Sequence, residues 1–169
     1  MIRAGLRFSF VLVSFPLLTL TGCTMQQAGT HHPYVRQAEV STPVADYSQR
    51  MPSKIATGEK TIVVDPKVHA WAAYGSDGYL MRAGLATAGN SWCPDIGRPC
   101  RTKAGSFRIY SLGNASCKSS IYPLPRGGAP MPYCMFFNGN QGLHGSYNVV
   151  EGNVSHGCVR LHVSDAEWI

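Results

Sequence analysis

Three observations predict a mainly β fold for this chain. Short runs rich in β-branched and aromatic residues recur from residue 61 onward, and 18 glycines and 11 prolines separate them. Such side chains favour strands, whereas Gly and Pro favour turns. A convincing helix start occurs only near the C-terminus. Residues 59–169 are therefore predicted as one mainly β domain, with about 110 residues to build a modest core.

The first predicted strand covers residues 61–65, a β-branched run that a Pro-Lys turn signal follows. Alternation predicts further strands over residues 68–74 and 79–88, with the Gly-Ser-Asp-Gly segment 75–78 as a hairpin connection. Additional strand-like runs are residues 107–110 and 135–137. For the single helix, Ser164 is the predicted N-cap, because acidic residues follow in the first turn.

An N-terminal secretory signal peptide is predicted over residues 1–22. Arg3 and Arg7 precede an apolar run that ends in a Leu-Thr-Gly-Cys sequence at Cys23. The run is shorter than the roughly 20 apolar residues of a transmembrane helix, and small residues stand at its end. The last four residues resemble a bacterial lipobox, which implies lipidation of Cys23 and anchoring at a membrane surface. Since no aspartate follows the cysteine, the resemblance favours the outer membrane.

Residues 23–58 are predicted as a flexible tether, because polar residues and three prolines interrupt any regular pattern. The whole chain carries a formal charge of +6. Loss of residues 1–22 removes two basic residues and no acid, which leaves +4. Without a run of Lys and Arg, this charge indicates no nucleic-acid partner. It suits substrates that carry carboxylates, although a solvated surface is the commoner explanation.

The six cysteines indicate an oxidising compartment. With Cys23 lipidated, five remain, so at least one is unpaired, and Cys158 is the expected free thiol. The other four suit two disulfides in a periplasm. Of the three possible connectivities, pairing between sequence neighbours is preferred. The predicted disulfides are Cys93–Cys100 and Cys117–Cys134.

Residues 143–161 contain the candidate catalytic residues of the chain. A cysteine nucleophile needs a base and small neighbours, and this stretch places two histidines and Gly157 near Cys158. Gly157 permits a tight turn, and the N–H groups of Gly157 and Cys158 are expected to face a developing oxyanion. His144 is the favoured base and His156 is expected to shape the substrate side. A neighbouring imidazolium is expected to lower the pKa of the cysteine.

Two other interpretations of the same residues stay open. A zinc site would use His144, His156, Cys158 and His162, but the spacing lacks the paired Cys-x2-Cys or His-Glu-x2-His patterns. Alternatively, Cys158 is a structural cysteine near core histidines. Because the favoured interpretation is nucleophilic catalysis, we predict no metal and no cofactor.

The stretch resembles the signature of the L,D-transpeptidase catalytic domain, also called the YkuD-type domain. The resemblance rests on His144-Gly145-Ser146 and on the Ser-His-Gly-Cys-Val-Arg-Leu sequence over residues 155–161. Upstream, residues 102–107 resemble the family's Thr-Pro-x-Gly-x-Phe turn, with Lys103 in place of the proline. Met131-Pro132-Tyr133 resembles its Met-Pro-Tyr approach to the first histidine. The resemblance covers most of residues 61–169.

The resemblance implies a β-sandwich of mixed sheets, with a short helix after the catalytic cysteine. It implies a reaction on peptidoglycan stem peptides, in which a cysteine acyl-enzyme leads to a 3–3 cross-link. Water in place of the second amine gives L,D-carboxypeptidase activity, and an envelope protein in that place gives attachment to peptidoglycan. Family members usually continue beyond the terminal helix, so we expect the C-terminus here to be incomplete.

The resemblance also implies roles for single residues. His144 accepts the thiol proton, and the Gly145 carbonyl orients its ring. Arg160 holds a stem carboxylate, with a plain surface charge as the alternative, and Tyr133 lines the mouth of the pocket. The implied catalytic residues are Cys158, His144, His156 and Gly157, and the implied substrate-binding residues are Arg160, Tyr133, Gly145 and Ser155.

These implications predict a lipid-anchored enzyme of the cell envelope whose catalytic domain faces the periplasm. Its partners are peptidoglycan stem peptides and, through Cys23, a membrane, and we expect a monomer. A hypothesis of another class is a catalytically weak lipoprotein that keeps the fold for peptidoglycan binding or host interaction. The intact His144, Gly157 and Cys158 argue against that hypothesis.

Overall fold

The structure, a computed structural model, describes residues 46–169. The predicted signal peptide, the lipidation of Cys23 and the first part of the tether lie outside the described residues. Within residues 46–169, no helix has the length and apolar character needed to cross a bilayer.

The first sheet contains the N-terminal strands of the domain. Its strands are β1 (Thr61–Asp65), β2 (Ala70–Tyr74) and β3 (Leu80–Leu85), antiparallel in the order β1-β2-β3. All three predicted strands are therefore present, although the second and third are shorter than expected. The second begins late because His69 has a left-handed backbone (φ 51°) and belongs to the preceding turn.

The second sheet is mixed and carries the C-terminal stretch. It consists of β4 (Ser111–Leu112), β5 (Met135–Asn138), β6 (Gln141–Ser146) and β7 (Val159–His162), in that order. The β4–β5 and β5–β6 pairs are antiparallel, whereas β6 and β7 are parallel. The short helix α1 (Val163–Trp168) follows β7.

A single hydrophobic cluster joins the two sheets. Its buried members come from both sheets and from α1: Trp71, Ala73, Ala86, Met135, Leu143, Val159, Leu161 and Ala166. The chain beyond β3 also pairs with β7, since Thr87 and Arg160 exchange backbone hydrogen bonds of 3.0 and 2.9 Å. The predicted β-sandwich of mixed sheets, with a short helix after Cys158, is confirmed.

Two local predictions were wrong. Residues 107–110 form no strand, and the short strand β4 begins only at Ser111, where pairing with β5 becomes possible. Ser164 is not the helix cap: α1 begins at Val163, and His162 occupies the N-cap position without a side-chain capping bond.

The last part of the predicted tether belongs to the folded domain. A 3-10 helix covers Tyr47–Arg50, and the buried Met51 packs with residues of β2. The Tyr74 hydroxyl donates to Pro52 O at 2.9 Å, which ties this segment to the same strand. The tether prediction for residues 46–58 was therefore wrong, because apolar side chains there cover the outer face of the first sheet.

Both predicted disulfides, Cys93–Cys100 and Cys117–Cys134, are present, and Cys158 is free. They close two loops that contain little regular secondary structure. We call residues 93–100 the first disulfide loop and residues 117–134 the second disulfide loop. In the second loop, backbone hydrogen bonds from Ser119 N to Ala129 O (2.8 Å) and from Met131 N to Cys117 O (2.9 Å) act together with the cross-link to restrict its conformation.

We expect the double substitution Cys117→Ala/Cys134→Ala to lower the free energy of unfolding by about 3 kcal/mol. A disulfide that closes a loop of this size reduces the conformational entropy of the unfolded chain by that amount, and the substitution restores it. Urea unfolding of the oxidised protein measures the change. The matched control is Cys158→Ala, which removes a thiol without removing a cross-link. If the double variant and this control had the same stability, the second disulfide would have no stabilising role.

Candidate active site

The parallel pairing of β6 and β7 brings the predicted catalytic residues together. His144 pairs in register with Arg160, and Cys158 lies two residues before Arg160. Paired residues of neighbouring strands share a face, as do residues two apart on one strand. His144 and Arg160 therefore lie on the same side of the second sheet, and Cys158 lies in the turn directly before β7.

These three side chains face one cavity of about 750 Å³. Ser155 and His156 also line it, together with residues of both disulfide loops. Five of the eight predicted site residues thus meet at one place. Gly157 lies buried beside them, whereas Gly145 and Tyr133 do not line this cavity.

His144 is buried, and a backbone carbonyl orients its ring. Its Nδ1 lies 2.9 Å from Gly145 O, the contact that the family resemblance implied. Because a carbonyl can only accept, Nδ1 carries the proton of the neutral imidazole, which leaves Nε2 with a free lone pair. Burial lowers the pKa of His144 below its ordinary value, the Gly145 contact opposes this effect, and the Arg160 charge adds to it. The ring is thus kept in the form that accepts a proton.

Cys158 is half-buried, and its sulfur donates to Asn140 O at 3.5 Å. Burial raises the pKa of this thiol, while a hydrogen bond from the Gly142 backbone and the Arg160 charge act in the opposite direction. The expectation of a lowered cysteine pKa was therefore wrong, because the loss of solvation outweighs the two favourable contacts. Both directions favour the uncharged forms, a thiol on Cys158 and a neutral imidazole on His144.

We expect the acidic limb of the pH profile for Cys158 acylation to lie below the ordinary histidine pKa of about 6.5. The base form of His144 is lost only when the pH falls through its lowered pKa. In Arg160→Gln the limb should move to higher pH, because the cation that disfavours the imidazolium is gone. Second-order acylation rates measured from pH 4 to pH 8 test this. A limb that stays in place in Arg160→Gln would contradict the Arg160–His144 coupling.

The turn before Cys158 depends on Gly157. Its φ of 123° disfavours L side chains, and a Cβ there would come within 2.9 Å of Gln141 Nε2. The Gly157 N–H donates to Ser155 Oγ at 3.1 Å, and its carbonyl accepts from Thr102 Oγ1 at 2.9 Å. The expectation that the Gly157 N–H faces an oxyanion was wrong, because this hydrogen is already used. The Cys158 N–H remains the candidate donor.

Ser155 is buried and stabilises this turn through its hydroxyl. Its hydroxyl accepts from Gly157 and donates to the Cys158 carbonyl, and the residue is only 2% exposed. It was predicted as a substrate-binding residue on the strength of the motif. The observed bonds instead make it a positioning residue for the nucleophile.

Gln141 is a site residue that sequence reasoning missed. Its Oε1 accepts from Lys103 N, and its Nε2 donates to Arg101 O, both at 3.0 Å. The amide therefore ties the segment around Thr102 to the start of β6, beside the Gly157 turn. The Thr-x-x-Gly-x-Phe motif was the only signal that this segment belongs near the nucleophile.

His156 is held between the two disulfide loops. Its Nε2 lies 2.7 Å from Asp95 Oδ2 in the first loop, and its ring centroid lies 4.5 Å from that of Tyr122 in the second. These contacts fit the predicted role of shaping the substrate side of the pocket. Neither Asp95 nor Tyr122 was predicted, because only the tertiary structure brings them to a histidine 61 and 34 residues away.

Tyr133 and Gly145 have structural contacts away from the cavity. The Tyr133 hydroxyl donates to Glu167 Oε1 at 2.7 Å, which ties the end of the second disulfide loop to α1. The Gly145 N–H donates to Pro132 O at 2.7 Å. The prediction that Tyr133 lines the mouth of the pocket was wrong, because its ring packs against the hydrophobic core instead.

The ligand set of the zinc alternative does not assemble in the described part of the chain. Among residues 46–169, the candidate metal ligands within reach of one another are Cys93, Asp95 and His156. Cys93 is joined to Cys100, so its sulfur is not a free thiolate ligand. His144, Cys158 and His162 are not members of this group.

The fold and the cavity together define a two-sheet domain. A buried histidine on β6 and a free cysteine directly before the parallel strand β7 line one cavity. The sequence profile described as YkuD, L,D-transpeptidase catalytic domain, matches residues 59–169. The chain therefore belongs to the L,D-transpeptidase catalytic domain family. The matched range coincides with the predicted domain.

Solved structures of L,D-transpeptidases share the fold. One from Xylanimonas cellulosilytica is 24% identical, with a TM-score of 0.57 over 70% of this chain and 56% of that one. One from Mycobacterium smegmatis is 23% identical, with a TM-score of 0.52 over 65% and 52%. L,D-transpeptidase 3 from Mycobacterium tuberculosis, in complex with a faropenem-derived adduct, is 21% identical, with a TM-score of 0.51 over 64% and 54%.

The chain thus spans about half the length of these solved proteins. Comparison with curated sequences detected no relative.

Proposed function

We propose that this protein is an L,D-transpeptidase that acts on peptidoglycan stem peptides through an acyl-enzyme on Cys158. The observation that carries the proposal is the shared cavity of Cys158 and His144, whose ring has its proton on Nδ1 toward Gly145 O. Family membership supplies the substrate class. Without that membership, the same geometry would support acyl transfer in general.

In the acylation step, Cys158 Sγ attacks the carbonyl carbon of the diamino acid that precedes a terminal D-alanine. The thiol proton passes to His144 Nε2 as the C–S bond forms. The tetrahedral intermediate collapses, the C–N bond breaks, and the imidazolium returns the proton to the leaving amine of D-alanine. This sequence starts from a neutral pair, as the raised pKa of Cys158 and the lowered pKa of His144 require.

Two backbone donors support this step. The Gly142 N–H contacts the sulfur and stabilises negative charge on it. We propose that the Cys158 N–H stabilises the oxyanion, because hydrogen bonds of Gly157 and Ser155 hold the turn that carries it. The proposed attack requires the Cys158 thiol to leave Asn140 O and turn toward His144.

The second step decides the product. The amine of another stem attacks the thioester carbonyl, the C–S bond breaks, and the 3–3 amide cross-link forms while Cys158 recovers its proton through His144. Water as acceptor gives a tripeptide instead, and an envelope protein amine gives attachment. No external energy source is required, because the thioester conserves the energy of the amide that was broken.

The proposed location is the cell envelope, with the domain lipid-anchored at Cys23 and facing the periplasm. The sequence of residues 1–23 is the basis for this proposal, and two disulfides in the same domain as the free Cys158 are compatible with an oxidising compartment. Peptidoglycan would lie within reach of a domain anchored at the outer membrane. We propose that the domain works as a monomer.

Analysis of reaction products tests the proposed function. Purified protein is incubated with disaccharide-tetrapeptides, and the products are separated and weighed by mass spectrometry. Dimers that have lost one D-alanine would support transpeptidation, and tripeptides alone would support carboxypeptidase activity. Unchanged tetrapeptide, equal to the Cys158→Ala control, would overturn the enzyme proposal in favour of a binding lipoprotein.

A further inference from the structure

Four cationic side chains line the cavity that contains Cys158. They are Arg98, Arg101, Lys118 and Arg160, and we call them the cationic rim. No Asp or Glu lines the same cavity. The charged side chains that line this cavity are therefore all cations, in agreement with a preference for carboxylates.

The cationic rim has no carboxylate partner in the described part of the chain. The four ion pairs within residues 46–169 are Arg50–Glu151, Arg82–Asp165, Arg108–Glu59 and His156–Asp95. The one acid in the first disulfide loop, Asp95, is therefore engaged with His156. Arg50, Arg82 and Arg108 are paired with carboxylates. The four cations beside the cavity have no such partner and remain available to an anion.

The loops that carry these cations are cross-linked. Arg98 lies inside the first disulfide loop, and Arg101 follows its closing cysteine. Lys118 follows the cysteine that opens the second loop. Gln141 also holds the Arg101 carbonyl at 3.0 Å. Since less conformational entropy is lost when charges are already positioned, such loops suit recognition of a charged ligand.

We infer that the cationic rim is a carboxylate-recognition subsite that makes the enzyme select stem peptides with free carboxylates over amidated ones. This inference rests on the proposed function and names the donor that the site takes. A donor stem ends in a D-alanine carboxylate, and its diamino acid and glutamyl residues offer further carboxylates. Arginine binds such groups with two parallel hydrogen bonds, while lysine acts as a point charge.

Binding to Cys158→Ala protein measures recognition separately from chemistry. The probes are a fluorescent tetrapeptide with free carboxylates and its amidated counterpart, at low and high salt. We expect the free form to bind about tenfold more tightly at low salt, and the difference to shrink as salt screens the charges. Equal affinity of the two peptides would overturn the inference.

Substitutions locate the effect on the cationic rim. Arg98→Gln and Lys118→Gln should each weaken binding of the free form by about threefold and leave binding of the amidated form unchanged. The matched control is Arg126→Gln, an exposed cation of the second disulfide loop that does not line the cavity. If Arg126→Gln weakened binding as much as Lys118→Gln, general charge attraction would explain the binding, and the inference of a subsite would be wrong.

Acylation of the wild type by faropenem separates this inference from the proposed function. An adduct on Cys158 together with equal peptide affinities would support the proposed enzymatic function and contradict the carboxylate-recognition subsite. Selective binding of the peptide with free carboxylates, without any adduct, would support the subsite and contradict the proposed acyl-enzyme on Cys158.

Discussion

Cys158→Ala should abolish release of D-alanine from a stem tetrapeptide, with a fall in kcat/KM on the order of 10⁴-fold or more. The loss follows from the site, because Cys158 is the only free cysteine within residues 46–169 and lines the cavity with His144. No other nucleophile there has the Gly157 turn and a buried histidine beside it. D-alanine release measured with a coupled assay gives the rate.

Cys158→Ser is the companion variant, because it keeps a hydroxyl nucleophile of similar size. With the neutral His144 as base, it should retain no more than a trace of activity, since a hydroxyl is a far weaker nucleophile than a thiol. Urea unfolding should show wild-type stability for both variants. Substantial D-alanine release by a folded Cys158→Ala protein would remove Cys158 from the mechanism.

His144→Ala is expected to lower the acylation rate near neutral pH by about 10²- to 10⁴-fold, the usual contribution of a general base. The burial that lowers the pKa of His144 keeps its Nε2 ready to accept the thiol proton. Raising the pH should partly restore the variant, because hydroxide then generates the thiolate that His144 no longer produces. Stopped-flow acylation by faropenem from pH 6 to pH 10 measures both effects.

His156→Ala is the comparison that tests the assignment of the base. Its ring is held by Asp95 and Tyr122, so we expect a loss of about tenfold or less, without rescue at high pH. His162→Ala, an exposed histidine at the start of α1, should behave as wild type. A larger loss in His156→Ala than in His144→Ala would reverse the two roles.

Local sequence patterns predicted those strands whose formation depends mainly on the composition of the segment itself. The β-branched run that became β1 and the apolar run that became β5 have the composition of strands wherever they are placed. Cysteine parity left one thiol unpaired, and that thiol is Cys158. The Gly157 turn predicted before Cys158 is present, whereas the roles of Cys158 as nucleophile and His144 as base stay predictions.

Contacts between distant segments could not be predicted in the same way. Asp95 reaches His156 and Gln141 reaches Arg101 only because the loops close over the second sheet. Residues 46–58 have a polar, proline-containing sequence, yet Met51 finds an apolar surface on β2. Such outcomes depend on which surface a segment meets, and the sequence of the segment does not contain that information.

The direction of the Cys158 pKa illustrates the same point at the site. A histidine near a cysteine in sequence predicts an imidazolium and a lowered cysteine pKa. Burial of both groups decides otherwise, because desolvation disfavours each charged form. Burial is a property of the assembled fold, so the directions of the two pKa shifts could not be predicted from the sequence alone.

The most direct test of the acyl-enzyme is the mass of the intact protein after incubation with faropenem, followed by peptide mapping. L,D-transpeptidase 3 from Mycobacterium tuberculosis, which shares the fold, has been solved in complex with a faropenem-derived adduct, and we choose the same compound as the probe. We predict one covalent adduct per chain, on the peptide that contains Cys158, and none in Cys158→Ala. An adduct on another residue, or an unmodified wild-type protein that is folded, would contradict the proposed mechanism.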